Sequence, residues 1–287
     1  MNEVMFSEAA IRLGAFAAIF IAMAVYELWS PRLERDEMAG AWKARRWFTN
    51  LSLVLISSAA LRVVFPAAAV GTALWAEARG WGLFPALGVS PLVAGIVSFV
   101  ILDFAVWLEH VASHKIPLLW RIHRMHHADN GFDVTTGLRF HPLEILISMM
   151  WKAAVVVALG APVLAVLAFE IVLNGTSMFT HSNIGLPSRL DRIIRRVVVT
   201  PDMHRVHHSS INTETDSNYG FNLSVWDRLF RTYVAQPRLG HEGMKIGLDD
   251  YRGWSTATLL WALALPFRAL QPRRPQDESV EATRKIT

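Results

Sequence analysis

The feature that most constrains this chain is a set of apolar stretches long enough to cross a bilayer. The first, Leu13 to Trp29, ends on Tyr26-Glu27-Leu28-Trp29, the aromatic pattern of a membrane interface. Ala22-Met23-Ala24 resembles a cleavage site, yet Glu3, Glu8 and a lone Arg12 precede it. A signal peptide starts basic, so a retained helix is expected. A second stretch, Leu51 to Trp75, is interrupted by Arg62 and Pro66. A third starts at Ser90-Pro91, a capping residue followed by proline at the first helical position, and runs to His114. At about 1.5 Å per residue it is roughly 36 Å long, more than a hydrocarbon core of about 30 Å, so its last turn should emerge into water. The fourth, residues 143–180, breaks at Gly160-Ala161-Pro162 and has room for two antiparallel helices.

Composition agrees. Of 287 residues 53% are hydrophobic and only 18% charged, below the roughly 25% of an average soluble domain. The absence of cysteine excludes disulfides, cysteine zinc sites, iron–sulfur clusters and haem–thiolate chemistry. The net charge of +4 suits cytoplasmic loops of a membrane protein better than nucleic-acid binding. Arg32, Arg35, Lys43, Arg45 and Arg46 fall in a polar loop at 31–47, against Arg79 alone between the second and third stretches. The 31–47 loop is therefore expected in the cytoplasm, and with it every histidine. The expected fold is an all-α membrane bundle of about four transmembrane helices with a cytoplasmic histidine-rich cap. Within the hairpin at 143–180, Lys152 and Glu170 are equidistant from the turn; they are expected to pair, because an unpaired charge at that depth costs about 2.5–3.5 kcal/mol, with a shallow hairpin in which both snorkel as the equal alternative. The segment Trp254 to Phe267 is too short to span comfortably and reads as interfacial or re-entrant. The tail from Gln271 reads as disordered.

Ten of the 11 histidines lie between His110 and His208. His110 and His114 are four apart, so both rings share one helical face. His123, His126 and His127 repeat the pattern at i, i+3 and i+4, again read as one face, and His204, His207 and His208 repeat it once more. These eight neutral imidazoles exceed the three or four that one zinc takes, so two metals are implied. Imidazole suits iron, copper, nickel and zinc alike, and spacing does not choose among them.

The run Trp120-Arg121-Ile122-His123-Arg124-Met125-His126-His127, followed by Asp133 to Glu144, resembles the sterol desaturase and fatty acid hydroxylase superfamily. So does Thr200-Pro201-Asp202-Met203-His204-Arg205-Val206-His207-His208 with Asp216-Ser217-Asn218-Tyr219-Gly220. The resemblance covers about residues 90–235. It implies a membrane di-iron oxygenase whose histidine boxes are His110, His114, His123, His126, His127, His204, His207 and His208, with His181 a ninth ligand candidate. Many relatives carry arginine after the first histidine, where this chain has Val111. The implied cofactors are two irons, which zinc can replace on purification, and O2. The implied reaction is hydroxylation or desaturation of a lipid C–H bond, the lipid being a sterol, a fatty acyl chain or a related molecule. Electrons would come from a separate ferredoxin or cytochrome b5-type protein, since no G-x-G-x-x-G motif is present. Arg192, Arg195, Arg196, Arg205 and Arg228 could dock such a donor, ordinary positive-inside bias being the plainer account. The expected location is a bacterial inner membrane.

The domain reading is 1–90 for N-terminal membrane helices and the basic loop, 91–235 for the catalytic region, and 236–287 for an interfacial helix and tail. Asp103, His141, Asp202, Asp216 and Asn218 are candidates to orient ligands, with Asp227 behind them, each weighed against a plain structural role. His241 reads as a surface residue. Two rival functions stand beside the oxygenase, a dinuclear zinc hydrolase at the membrane and a non-enzymatic protein binding haem or metal. The first wants a carboxylate bridge and a general base, and no Asp or Glu lies within the clusters. The second needs one ligand on each of two facing elements.

Overall fold

The computed structural model describes residues 2–33 and 40–270, with side chains from residue 10 onward. Among these residues every named element is helical, and other backbone pairing is confined to isolated bridges such as Pro31 with Ile184. α1 (Asn2–Trp29) carries the first apolar stretch. The second is shared by α2 (Ala41–Val64) and α3 (Ala68–Glu77), which part around Pro66, a residue without the N–H that a continuous helix needs. α4 (Leu83–Ala86) is a single turn. α5 (Pro91–Lys115) starts at the expected proline and runs unbroken past His114. After α6 (Pro117–His127), a hairpin follows of α7 (Pro142–Leu159) and α8 (Val163–Thr180). The short α9 (Ser188–Ile194) and α10 (Pro201–His207) lead into a cap of loops and single turns.

Five segments are long and apolar enough to cross a membrane: Ala10–Trp29, Ala41–Glu77, Pro91–Lys115, Pro142–Leu159 and Val163–Thr180. The chain is thus built as a multi-pass membrane protein. The 143–180 stretch supplies two of the five, the antiparallel pair for which its sequence leaves room. Gly160 makes that turn in the left-handed region (φ 65°, ψ 46°), where a side chain would be strained. A Cβ there would also lie 2.5 Å from the carbonyl oxygen of Trp81.

Leu102 and Val106 of α5 pack with Met149 and Val156 of α7, Val166 and Phe169 of α8, and Ala69 and Ala73 of α3. Leu55, Val63, Leu92 and Leu164 point outward and remain exposed, as lipid-facing side chains do. Lys152 and Glu170 pair as expected, at 3.6 Å. The structure adds Arg12 of α1, whose guanidinium lies 2.9 Å from the other oxygen of Glu170.

Two readings of the sequence change, that of the 31–47 loop and that of His241. Lys43, Arg45 and Arg46 stand on the opening turns of α2 rather than in a loop, and Arg46 is buried. Its guanidinium meets Asp129 at 2.6 Å and Asp133 at 2.5 Å, so it clamps the 129–136 loop instead of facing solvent; Arg35 lies outside the described residues. The Trp254–Phe267 segment forms short turns whose Ala262 and Leu265 pack on Leu53 of α2 and Met125 of α6. His241, read as a surface residue, is buried with Nε2 3.6 Å from Asp202, because the 240–243 turn folds over α10. The tail from Gln271 lies outside the described residues.

Candidate metal centre

Local rules place the histidines. Ile116 is extended (φ −93°, ψ 116°) and closes α5, because the proline that follows disfavours a helical residue before it. The chain turns there, and α6 lies against the end of α5. His110 Nε2 comes to 3.1 Å from His123 Nε2, and His114 Nε2 to 3.1 Å from His127 Nε2. α10 begins at Pro201, with the Thr200 hydroxyl accepting from the amide of Met203 at 3.4 Å. That short helix carries His204 and His207 and ends on His208.

All nine histidines singled out from the sequence come together, in two groups. One holds His110, His114, His123, His127 and His207; the other holds His126, His181, His204 and His208. All nine are buried, and within each group the ring donor atoms lie within 4.8 Å of one another. The two H-x-x-H-H clusters do not each serve one site. The i, i+4 pair His123 and His127 joins the five-histidine group, while His126 points to the four. His204 and His208 join the four, while His207 points to the five. A helix advances about 100° per residue, so adjacent histidines diverge and each His-His pair straddles the two groups.

The hydrogen bonds decide which nitrogen faces inward. Nδ1 of His110, His181 and His207 donates at 2.7 Å to the carbonyls of Tyr219, Ser177 and Ser217, and that of His126 donates at 3.2 Å to Arg139. A carbonyl only accepts, so in the neutral ring the single proton sits on Nδ1 and Nε2 keeps its lone pair. Yet Nε2 of His181 lies 3.2 Å from Nε2 of His126 and 3.0 Å from that of His204. Nε2 of His207 and of His208 is buried without a hydrogen-bond partner. Burial, reinforced by neighbouring rings, holds His126, His127, His204, His207 and His208 well below the ordinary histidine range. It takes His181 down to about 4. Neutral rings converging lone pair on lone pair are a donor set for cations. With metal–nitrogen bonds of about 2.0–2.1 Å, donors 90° apart would be about 3.0 Å from each other and tetrahedral donors about 3.4 Å. The spacings of 3.0–3.2 Å fall between the two, as close as donors sharing one ion would stand.

The residues expected to orient ligands divide. Asp216 does meet one, with Oδ1 3.3 Å from His114 Nδ1, and it also accepts from Lys115 at 2.9 Å. Asp103 reaches no histidine. Its carboxylate accepts from the Trp226 indole at 2.7 Å and from the Leu223 amide at 3.3 Å, which fastens the 222–226 loop to α5. His141 caps α7, with Nδ1 accepting from the Leu143 amide at 3.2 Å and Nε2 donating to the Leu263 carbonyl. Asp202 pairs with Arg205 and with Arg32 at 3.2 Å. Asn218 adopts φ 49° and ties Met203 and Val234 together through its side-chain amide. Asp227 accepts from the amides of Tyr219 and Gly220 at 2.9 and 2.8 Å, and so steadies the carbonyl that His110 uses. These groups share sequence neighbourhoods with the histidines, but their bonds hold the loops that carry the ligands.

One orienting residue escaped the sequence reading. Glu144 Oε1 lies 2.5 Å from His123 Nδ1. The only signal was an acid three residues after the helix-capping His141, a pattern that reads equally well as a helix start. Aromatic rings enclose the histidines. Phe140 stacks on His126 at 4.6 Å, Trp120 lies 5.0 Å from His114, and Phe132 lies 5.3 Å from His208.

The fatty acid hydroxylase family profile matches residues 95–232. Ornithine lipid hydroxylase OlsE from Rhizobium tropici is 33% identical over 144 residues, 50% of this chain and 42% of that protein. Human alkylglycerol monooxygenase is 28% identical over 144 residues, 48% of this chain and 30% of that protein. Rat cholesterol 25-hydroxylase is 24% identical over 229 residues, 77% of this chain and 73% of that protein. The chain thus spans less than half the length of the first two relatives. No solved structure matches it at a significant level. Residues 95–232, which contain all nine clustered histidines, are thus the part of the chain that matches the fatty acid hydroxylase family, and the relatives it resembles there are named hydroxylases and monooxygenases.

Proposed function

We propose that this protein is a membrane oxygenase that holds two irons in its histidine groups and uses O2 and external electrons to hydroxylate a C–H bond of a membrane lipid. The observation that carries the reading is the convergence of buried, unprotonated Nε2 atoms in two abutting groups at the end of a membrane bundle. An unactivated C–H bond has neither a leaving group nor an acidic proton, so side-chain acid–base or nucleophilic catalysis cannot open it. A reduced pair of irons supplies the O2-activating chemistry that such a bond requires.

The chain's own residues do the rest. Asp216, Glu144 and the backbone carbonyls fix ring orientation and tautomer, which strengthens each donor. Trp120, Phe132 and Phe140 keep bulk water away from the site. Hydroxylation is favoured over desaturation because the relatives are named hydroxylases and monooxygenases. Histidine ring centroids 4.3–6.3 Å apart, within and between the groups, are too close for a porphyrin to lie between them, which disfavours the haem reading. Among the described residues neither group contains a carboxylate, which disfavours the zinc hydrolase.

The catalytic region is proposed at 91–235, with the metal end facing the cytoplasm of a bacterial inner membrane. Arg32, Lys43 and Arg45 near that end, against Arg79 at the other, support the orientation. Electrons would arrive from a separate ferredoxin or cytochrome b5-type protein. Of the arginines proposed for its docking, Arg192, Arg196 and Arg228 are exposed, whereas Arg195 and Arg205 are buried in pairs with Asp191 and Asp202. The test is metal analysis with an absorption spectrum, joined to lipid profiling of cells with and without the gene. About two irons per chain, no haem band and an O2-dependent lipid gaining one oxygen support the reading. Stoichiometric zinc with hydrolysis and no O2 uptake overturns it.

A further inference from the structure

A cavity of about 820 Å³ opens beside the metal centre. Phe20, Ala24 and Val25 of α1 and Trp42 and Trp47 of α2 line it, together with the charged groups of Glu27, Arg46 and Asp133. Phe132 is a further lining residue. It is the one lining residue whose ring also meets histidine rings, at 5.9 Å from His181 and 5.3 Å from His208. Both belong to the four-histidine group, the one with fewer protein donors.

Phe132 is held in place from three directions. The Arg205 guanidinium lies 4.9 Å over its ring and is itself fixed by Asp202 and the Ser182 carbonyl. Met244 and Ile246 pack against it. The backbone on either side is clamped by Arg46, which bonds Asp129 and Asp133, and a Cβ on Gly131 would lie 2.6 Å from Arg46 Nε. The ring is therefore a fixed wall rather than a loose plug.

Resting on the oxygenase reading above, we propose that the cavity takes the acyl chain of a membrane lipid and that Phe132 is the partition setting how far this chain reaches toward the four-histidine group. Phe132 thereby selects chain length and the carbon that reacts. The length of chain that fits is decided by one ring edge. Hydrophobic pockets discriminate a single methylene by roughly 10–200-fold, so trimming or enlarging this ring should move the preference by whole carbons.

The chain has no cysteine, so Ala24→Cys introduces a single maleimide target inside the cavity. The first measurement uses metal-free full-length protein in detergent and monoacyl phospholipids of graded chain length. Bound lipid should protect the introduced thiol from labelling. The best-protecting length should rise when Phe132→Ala is added and fall when Phe132→Trp is added, with about a tenfold change in preference between neighbouring lengths. The second measurement maps the hydroxylated carbon in iron-loaded protein, which should shift in opposite directions in the two variants. General damage to the fold would not produce shifts of opposite sign. A thiol that no lipid protects, or the same length preference in all three proteins, overturns the proposal even where hydroxylation proceeds. Protection that tracks Phe132 without any O2-dependent product keeps the partition and overturns the oxygenase reading.

Discussion

The carboxylate of Glu144, on the first turn of α7, lies 2.5 Å from Nδ1 of His123 on α6. The membrane hairpin and the five-histidine group are thus joined through one hydrogen bond. This contact fixes the His123 tautomer, leaves Nε2 facing the site, and makes the ring a better donor. Replacing Glu144 with alanine should weaken metal binding by about 10–100-fold, with a smaller loss for Glu144→Gln, which keeps an acceptor oxygen. Metal titration of the purified variants checks this, and native affinity in Glu144→Ala would remove Glu144 from the centre.

The two histidine groups should respond unequally to loss of one ring. His204→Ala leaves three donors in the smaller group, whereas His110→Ala leaves four in the larger. The first should weaken metal binding more than the second, since four donors still complete a site while three leave a position open. Elemental analysis of each variant gives the answer. Equal losses would show that the groups do not bind independently.

Arg46 carries the only guanidinium between Asp129 and Asp133 among the described contacts, and all three are buried. Arg46→Met would leave Asp133 without its counter-charge and Asp129 with Arg139 alone, a change of the kind that costs about 3–5 kcal/mol when a buried pair is broken. Denaturant unfolding in micelles should show that loss, and adding Asp129→Asn and Asp133→Asn should restore much of it. An unchanged midpoint in Arg46→Met would show that the clamp contributes nothing.

Glu170 answers two cations, Lys152 at 3.6 Å and Arg12 at 2.9 Å. Glu170→Gln should therefore destabilise the bundle more than Lys152→Met. Exchanging both charges, Lys152→Glu with Glu170→Lys, should rescue only in part, because Arg12 would then face a lysine. Thermal unfolding of the set tests it, and full rescue would mean that Arg12 does not share the carboxylate.

Acid should destabilise the metal-free protein. His181 has a folded pKa of about 4, against an ordinary 6.5, and burial lowers His126, His127, His204, His207 and His208 as well. The unfolded chain then binds more protons than the folded one, so stability rises with pH across that interval. The contribution is complete above about pH 6.5 and is lost as the pH falls toward 4, the value for His181. A melting temperature for metal-free protein that stays flat from pH 7 to pH 5 would contradict this.

Much of the site was legible from spacing because a helix is a local object. Four residues return a side chain to the same face, so His110 with His114, His123 with His127, and His204 with His208 reach common groups. The same regularity misleads for His126 and His207, which the sequence assigns to their neighbours' face and the structure sends to the opposite group. That choice depends on where α10 and α8 stand relative to α6, and helical periodicity carries no information about it. Asp103 and Asp202 are candidates by sequence either to orient ligands or to hold structure, and their bonds serve loops.

What the sequence determined by itself is the membrane architecture and which nine histidines gather. Apolar length, proline and glycine breaks and short-range spacing act within a few turns of the chain. What only the tertiary structure decided is the division of those rings into five and four, the contact of Glu144 with His123, the burial of Arg46, and the place of Phe132 beside both a cavity and the four-histidine group. Each of these rests on segments from separate helices meeting in space. The energy that selects such meetings comes from removing charge and apolar surface from solvent, which no local pattern records.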